Sequence, residues 1–134
     1  MYSPIKKRIM VVDDNRDITL ALVNGIRLTG VEITTFNDPL RAVEQFKESP
    51  YLYDLIITDI RMPELDGFAL YREVKTSRSD VPIWFLTSCE ITQSELGNMS
   101  PSIHVHRLLY KPISILKMRE LIRTDLLHHT ELYH

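Results

Sequence analysis

Short apolar runs alternate along this chain with longer stretches in which apolar residues recur every three or four positions. The short runs are rich in β-branched side chains and read as strands buried on both faces. They are Ile9-Met10-Val11-Val12, Leu55-Ile56-Ile57 and, behind Pro82, Ile83-Trp84-Phe85-Leu86. A weaker alternating run covers residues 31–36, and a brief one is Leu108-Leu109-Tyr110.

The longer stretches are predicted helices, several with recognisable caps. Residues 16–28 put Ile18, Ala21, Leu22 and Ile26 on one face, with Gly30 as the expected C-cap. Gly25 within that helix costs about 1 kcal/mol relative to Ala, so close packing explains it better than propensity. Asn37-Asp38-Pro39 opens the second helix, with Asp38 as N-cap and Pro39 in the first helical position. Leu40, Val43 and Phe46-Lys47 form its expected buried stripe, and Ser49-Pro50 closes it. After the Asp66-Gly67 turn, Gly67, Leu70, Tyr71 and Val74 follow at helical spacing. Thr92-Gln93-Ser94-Glu95 matches a capping box and predicts a fourth helix from Gln93, kept short by Gly97, Asn98 and Pro101. Residues 114–127 form a last amphipathic helix that buries Ile115, Met118, Leu121, Ile122 and Leu126.

Strand then helix, five times over, predicts a parallel sheet covered by helices on both faces. Right-handed crossovers bring the carboxyl end of every strand to one edge. Asp13 and Asp14 follow the first strand, Asp59 the third, Thr87 the fourth and Lys111 the fifth, so topology alone predicts their convergence.

Composition bounds the rest. A chain of 134 residues with 44% hydrophobic and 25% charged residues suits a single domain with one well-buried core. A formal net charge of −2 gives no general attraction for nucleic acid or an anionic membrane. The basic start, residues 1–8, is not followed by a signal-peptide core, and no apolar run approaches the roughly 20 residues needed to span a bilayer. A single cysteine, Cys89, excludes an internal disulfide, fits a reducing compartment and reads as a small buried residue. A soluble, cytoplasmic domain is expected. His104, His106, His128, His129 and His134 lack Cys or carboxylate partners at ligand spacing, and read as a solvated surface rather than a zinc site.

Adjacent carboxylates at a strand end repel by about 4 kcal/mol at about 4 Å in an effective dielectric near 20. A hard divalent cation such as Mg²⁺ removes that penalty, whereas the plainer reading is a helix cap beside a solvated neighbour. Three carboxylates, a hydroxyl and an ammonium at one edge suit phosphoryl transfer to a carboxylate. At these residues the sequence resembles the receiver domains of two-component response regulators. The resemblance covers about residues 9–127 and rests on Asp13-Asp14, Asp59, Met62-Pro63, Asp66-Gly67, Thr87 and Lys111-Pro112, each placed after its strand.

The resemblance implies a flavodoxin-like fold, a doubly wound, five-stranded parallel sheet in a three-layer sandwich. It implies one receiver domain over residues 1–134, with its core at about residues 8–128 and no output domain in this chain. Asp59 would accept a phosphoryl group from a phosphohistidine of a sensor histidine kinase or histidine phosphotransfer protein. Asp14 and Asp59 would ligate Mg²⁺, or Mn²⁺ in its place, with Asp13 assisting and the backbone carbonyl of Arg61 completing the protein ligands. Thr87 would donate to a phosphoryl oxygen, and Lys111 would pair with Asp59 before modification and with the phosphoryl group after it. The domain would turn over no external substrate. It would signal by contact with a downstream protein or by relay, as a monomer or a phosphorylation-dependent dimer, without binding nucleic acid or membrane.

The chain departs from the family pattern in one region. The aromatic residue expected three positions before the lysine is Leu108, while Tyr110 lies nearer the lysine on the same strand face. Residues 97–106 also look unlike the usual connection, and Ser88 stands where a smaller alanine is common. Arg61 either reaches over the phosphoryl group or is a plain surface arginine. One rival reading is a receiver-like interaction module that works without phosphorylation, suggested by Leu108. Another is an aspartate-dependent phosphohydrolase resembling the haloacid dehalogenase family. Its Asp-x-Asp signature is broken here, because Asp13 is followed two positions later by Asn15.

Overall fold

The computed structural model describes residues 6–26, 30–88, 103 and 106–127. Five strands, β1 (Lys7–Val12), β2 (Val31–Phe36), β3 (Leu55–Asp59), β4 (Ile83–Thr87) and β5 (Arg107–Tyr110), form one sheet. The strand order is β2-β1-β3-β4-β5 and every pairing is parallel. This is the parallel sheet that the alternating pattern predicts, in the doubly wound, flavodoxin-like order that the resemblance implies. The order reverses between β1 and β3, so a crevice opens beyond the carboxyl ends of those two strands.

Four described helices cover the sheet: α1 (Arg16–Gly25), α2 (Pro39–Glu48), α3 (Gly67–Ser77) and α4 (Ile115–Ile122), the last continued by a π-helical turn, Arg123–Leu127. Side-chain alternation along the central strands separates two cores. Met10, Val12, Ile56 and Phe85 face α2 and α3, where they meet Ala42, Phe46, Leu70 and Val74. Ile9, Val11, Ile57, Trp84 and Leu86 face α1 and α4, where they meet Leu22, Ile26, Met118 and Ile122. Strands β3 and β4 are buried along their whole length, which explains why they lack any polar alternation.

The predicted Asp38 cap holds, and Asp66, expected only in a turn, is a further N-cap. Asp38 Oδ1 accepts the Leu40 N–H at 3.0 Å with Pro39 first in α2, and Asp66 Oδ1 accepts the Ala69 N–H at 2.8 Å at the start of α3. Gly25 does serve close packing, because an added Cβ would stand 2.8 Å from the Ile115 side chain of α4.

Other expectations change. Helix α1 ends at Gly25 rather than at residue 28, and Ile26 caps it by donating its N–H to Leu22 O at 2.8 Å. Gly30 does not close the helix. It sits at φ 87° immediately before β2, a conformation open to glycine, and its carbonyl accepts the Lys7 N–H at 2.8 Å. Leu22 and Ile26 are buried as expected and Ile18 partly so, but Ala21 is exposed and Thr19 joins the buried stripe of α1. In α2 the stripe is Pro39, Ala42, Val43 and Phe46, so Leu40 and Lys47 point outward. Ser114 is the N-cap of α4, accepting the Lys117 N–H at 3.3 Å, and the regular α-helix stops at Ile122. The helix expected from Gln93, together with Cys89, His104, His128, His129 and His134, lies outside the described residues.

Candidate functional site

The carboxyl edge of the sheet is acidic at its centre. Asp13 follows the last residue of β1, Asp14 comes next, and Asp59 is the last residue of β3. One carboxylate oxygen from each of Asp13, Asp14 and Asp59 lies within 4.8 Å of the other two. Asp13 and Asp59 are buried, whereas Asp14 is exposed. Oxygen donors alone, two of them poorly solvated, are a donor set that fits a hard divalent cation which keeps part of its water shell.

Lys111 supplies the charge that offsets them. Its Nζ stands 2.8 Å from Asp13 Oδ2 and 3.3 Å from Asp59 Oδ2. The Lys111 backbone N–H donates to Thr87 O at 2.6 Å, which ties the end of β5 to the end of β4 beside the cluster. Burial alone would lower the lysine's pKa, but the pairs with Asp13 and Asp59 hold it above its ordinary value. Asp59 goes the other way for a carboxylate. Burial first and the Asp13 charge second push its pKa up, against the Lys111 charge and the Ile60 N–H that donates to its Oδ1 at 2.8 Å.

That direction carries a stability prediction. A carboxylate whose pKa is raised by folding stabilises the fold while protonated, and the contribution is lost as pH rises through the raised value. At pH 7 ionised Asp59 therefore opposes folding of the metal-free protein. Asp59→Asn is expected to raise Tm of the metal-free protein by a few degrees at pH 7. Melts in chelator at pH 7 and pH 4 check this, since the gain should disappear near pH 4. An equal gain at both pH values would assign it to something other than charge.

The remaining predicted residues fall around this cluster. Thr87 closes β4 with its side chain buried, and its Oγ1 has no hydrogen-bond partner among the described residues. It lies directly across the β4–β5 ladder from Tyr110, which is 41% exposed. Leu108 is partly buried and packs against the core that faces α2 and α3. Arg61 is exposed in the loop beyond Asp59.

That loop and the start of α3 hold the end of β3 by its backbone. The Gly67 N–H donates to Ile60 O at 2.7 Å, and the Thr58 hydroxyl donates to Asp59 O at 2.9 Å. A Cβ on Gly67 would stand 2.5 Å from Asp59 O and 2.9 Å from Ile60 Cα. Between them the chain makes a three-residue γ-turn, in which Leu65 N–H donates to Pro63 O at 2.8 Å around Glu64 at φ 71°. The left-handed region costs a non-glycine residue roughly 1–2 kcal/mol. Glu64→Gly is therefore expected to raise stability by about 0.5–1 kcal/mol after the entropy of the added glycine, measured as a Tm increase of about 2–3 °C. A lower Tm would mean that the Glu64 side chain, not the turn geometry, matters there.

Sequence reasoning missed several residues here. Asn37 and Thr19 hold the loop that carries Asp13 and Asp14, and Asn15 caps α1 by accepting the Asp17 and Ile18 N–H groups at 2.9 and 3.4 Å. Only Asn15, as a polar residue just before a helical stretch, carried a usable signal.

Comparison with known proteins agrees with this fold. The model of the response regulator receiver domain family matches residues 9–123. The sensor protein EvgS of Escherichia coli strain K12 is 34% identical over 113 residues, which are 84% of this chain and 9% of EvgS. The response regulator receiver protein CpdR of Brucella abortus is 36% identical over 81 residues, 60% of this chain and 66% of CpdR. This chain thus spans less than a tenth of EvgS. Among solved structures, a response regulator receiver domain protein from Clostridium thermocellum superposes with a TM-score of 0.78 at 23% identity, covering 94% of this chain and 98% of that one. The Vibrio cholerae chemotaxis protein CheY4 gives 0.77 at 23% identity, covering 90% and 99%. These two likenesses are of fold. No helix among the described residues is long and apolar enough to cross a membrane. From the family match over most of its length, the chain belongs to the response regulator receiver domain family.

Proposed function

We propose that this receiver domain accepts a phosphoryl group on Asp59 from a phosphohistidine, with Asp13, Asp14 and Asp59 as the carboxylates that hold Mg²⁺. The observation that carries the reading is the triad of carboxylate oxygens within 4.8 Å with Lys111 bridging two of them. An Asp59 oxygen attacks phosphorus, the P–N bond breaks, and the imidazole leaves with the electron pair. The product is an acyl phosphate. Bound Mg²⁺ would supply charge neutralisation for the phosphoryl oxygens.

The chain's own groups do the rest. Ile60 N–H fixes Asp59 Oδ1, so the carboxylate plane is set before a donor arrives. Lys111 Nζ offsets the charge that builds on the phosphoryl group, leaving Asp59 as that group takes over as its anion. Thr87 Oγ1 is a buried hydroxyl without a hydrogen-bond partner among the described residues, and a phosphoryl oxygen is the partner it suits. A sensor kinase or histidine phosphotransfer protein is the donor this chemistry requires. An apolar groove of about 220 Å³ between α1 and the Lys111–Ile113 segment offers it a surface beside the acceptor. Signal output by contact with a further protein completes the reading.

Intact mass after incubation with acetyl phosphate tests it. One phosphoryl adduct is expected that requires Mg²⁺, is labile in alkali and is absent from Asp59→Asn. Equal labelling of Asp59→Asn would overturn the assignment. Absence of both the adduct and any Mg²⁺-dependent change in Trp84 fluorescence would favour an interaction module independent of phosphorylation.

A further inference from the structure

Strand β2 lies at the edge of the sheet and contributes no carboxylate, hydroxyl or ammonium to the cluster. Its exit nevertheless controls the acidic loop. Asn37, immediately after β2, uses both amide hydrogens: Nδ2 donates to Asp13 O at 2.8 Å and to Thr19 Oγ1 at 3.0 Å. The orientation of the amide is fixed by chemistry, because the Asp13 carbonyl can only accept. Thr19 is 3% exposed, and its hydroxyl donates in turn to Arg16 O at 3.0 Å in the first turn of α1.

Asp13 is thereby held at every polar backbone atom. Its N–H donates to Phe36 O at 3.1 Å, its carbonyl accepts from Asn37, and its Oδ1 accepts the Asn15 N–H at 2.9 Å. The carbonyl matters most. It belongs to the planar peptide that continues into Asp14, so fixing its direction fixes where Asp14 leaves the chain. Asp14 is the exposed member of the triad, and among the described residues no hydrogen bond or ion pair steadies its carboxylate.

We infer that Asn37, anchored by Thr19, is a positioning residue for divalent-cation binding: its bond to the Asp13–Asp14 peptide sets the spacing of the three carboxylates. This rests on the proposed function and deepens it, since Asn37 touches neither the cation nor the phosphoryl group. Outer-shell partners of metal ligands typically change affinity by about 10–100-fold when removed.

The test is Mg²⁺ titration calorimetry on the whole chain, with Asn37→Ala, Asn37→Asp and a distant core control, Val43→Ala. Both Asn37 variants are expected to bind Mg²⁺ about tenfold more weakly, while labelling by acetyl phosphate at saturating Mg²⁺ stays within about twofold of the parent. Asn37→Asp is the sharper variant. An added carboxylate would tighten cation binding by charge alone, whereas it cannot donate to the Asp13 carbonyl and repels it. Weaker binding by Asn37→Asp supports positioning. Tighter or unchanged binding overturns it. An equal loss of affinity in Val43→Ala would also overturn it, because general loosening would then suffice. A parent that binds no Mg²⁺ overturns the proposed function and this inference together, so the two failures are distinguishable.

Discussion

Gly67→Ala is expected to lower Tm by about 10 °C, the equivalent of about 3 kcal/mol for overpacking against atoms that cannot yield. The reason is close approach. Among the described residues only Gly30 and Glu64 have positive φ, so Gly67 is not there for a left-handed turn. Its missing Cβ makes room for Asp59 O and Ile60 Cα, at 2.5 and 2.9 Å from where that Cβ would be. Both are backbone atoms, and Asp59 O is also held by the Thr58 hydroxyl. Relief requires α3 to move outward, which breaks the Gly67 N–H bond to Ile60 O, or the end of β3 to move, which displaces Asp59. The variant should therefore lose acetyl phosphate labelling at saturating Mg²⁺ as well as stability. Thermal melts and intact mass read the two losses separately. A variant within 2 °C of the parent would mean that the strand end is far more compliant than the packing implies.

The second large effect is expected at Lys111. Lys111→Met keeps much of the aliphatic stem but leaves Asp13 and Asp59, 1% and 9% exposed in their side chains, without their shared cation. Losing one partner of a buried pair costs about 3–5 kcal/mol, and the lower end applies because Lys111 itself is 22% exposed. In chelator the Tm should fall by about 10 °C. Mg²⁺ should then restore most of it, because a divalent cation at the carboxylates replaces the missing charge. At one hundred times its dissociation constant a ligand contributes about 2.7 kcal/mol. The Mg²⁺-induced rise in Tm should thus be larger in Lys111→Met than in the parent. A loss that is the same with and without Mg²⁺ would show that the stem, not the charge, holds this edge together.

Much of this was legible in the sequence for a physical reason. Parallel strands buried on both faces must be apolar along most of their length, so Leu55-Ile56-Ile57 and Ile83–Leu86 stand out, and the polar residues that end each strand, Asp59 and Thr87, mark the edge where chemistry collects. The Asp38 cap before Pro39 was readable because capping is local: donor and acceptor lie two residues apart. The parts that escaped depend on distant partners. Asn37 looks like any turn-forming amide until its acceptors, 24 and 18 residues away, are known. Ala21 and Leu40 have apolar side chains at plausible helical positions, but Thr19 and Pro39 take the inward places. Thr19 does so because a buried hydroxyl finds both an acceptor and a donor there. Glu64 carries no signal of its left-handed backbone, since the residue type argues against it. The π-helical turn after Ile122 continues an amphipathic pattern that reads as plain α-helix.

The position of Lys111 at the end of the final strand also bears on how the sheet comes apart. Strand β5 has four residues, sits at the edge and is only partly buried, so its apolar contribution is small. By that measure it should fray first and exchange its amide hydrogens fastest. Yet peeling β5 from β4 also draws the lysine away from two carboxylates held in poorly solvated surroundings, and their repulsion is then unopposed. The edge strand is thus fastened electrostatically, and its opening free energy follows the charge state of a cluster at the ends of β1 and β3, beyond its partner strand β4.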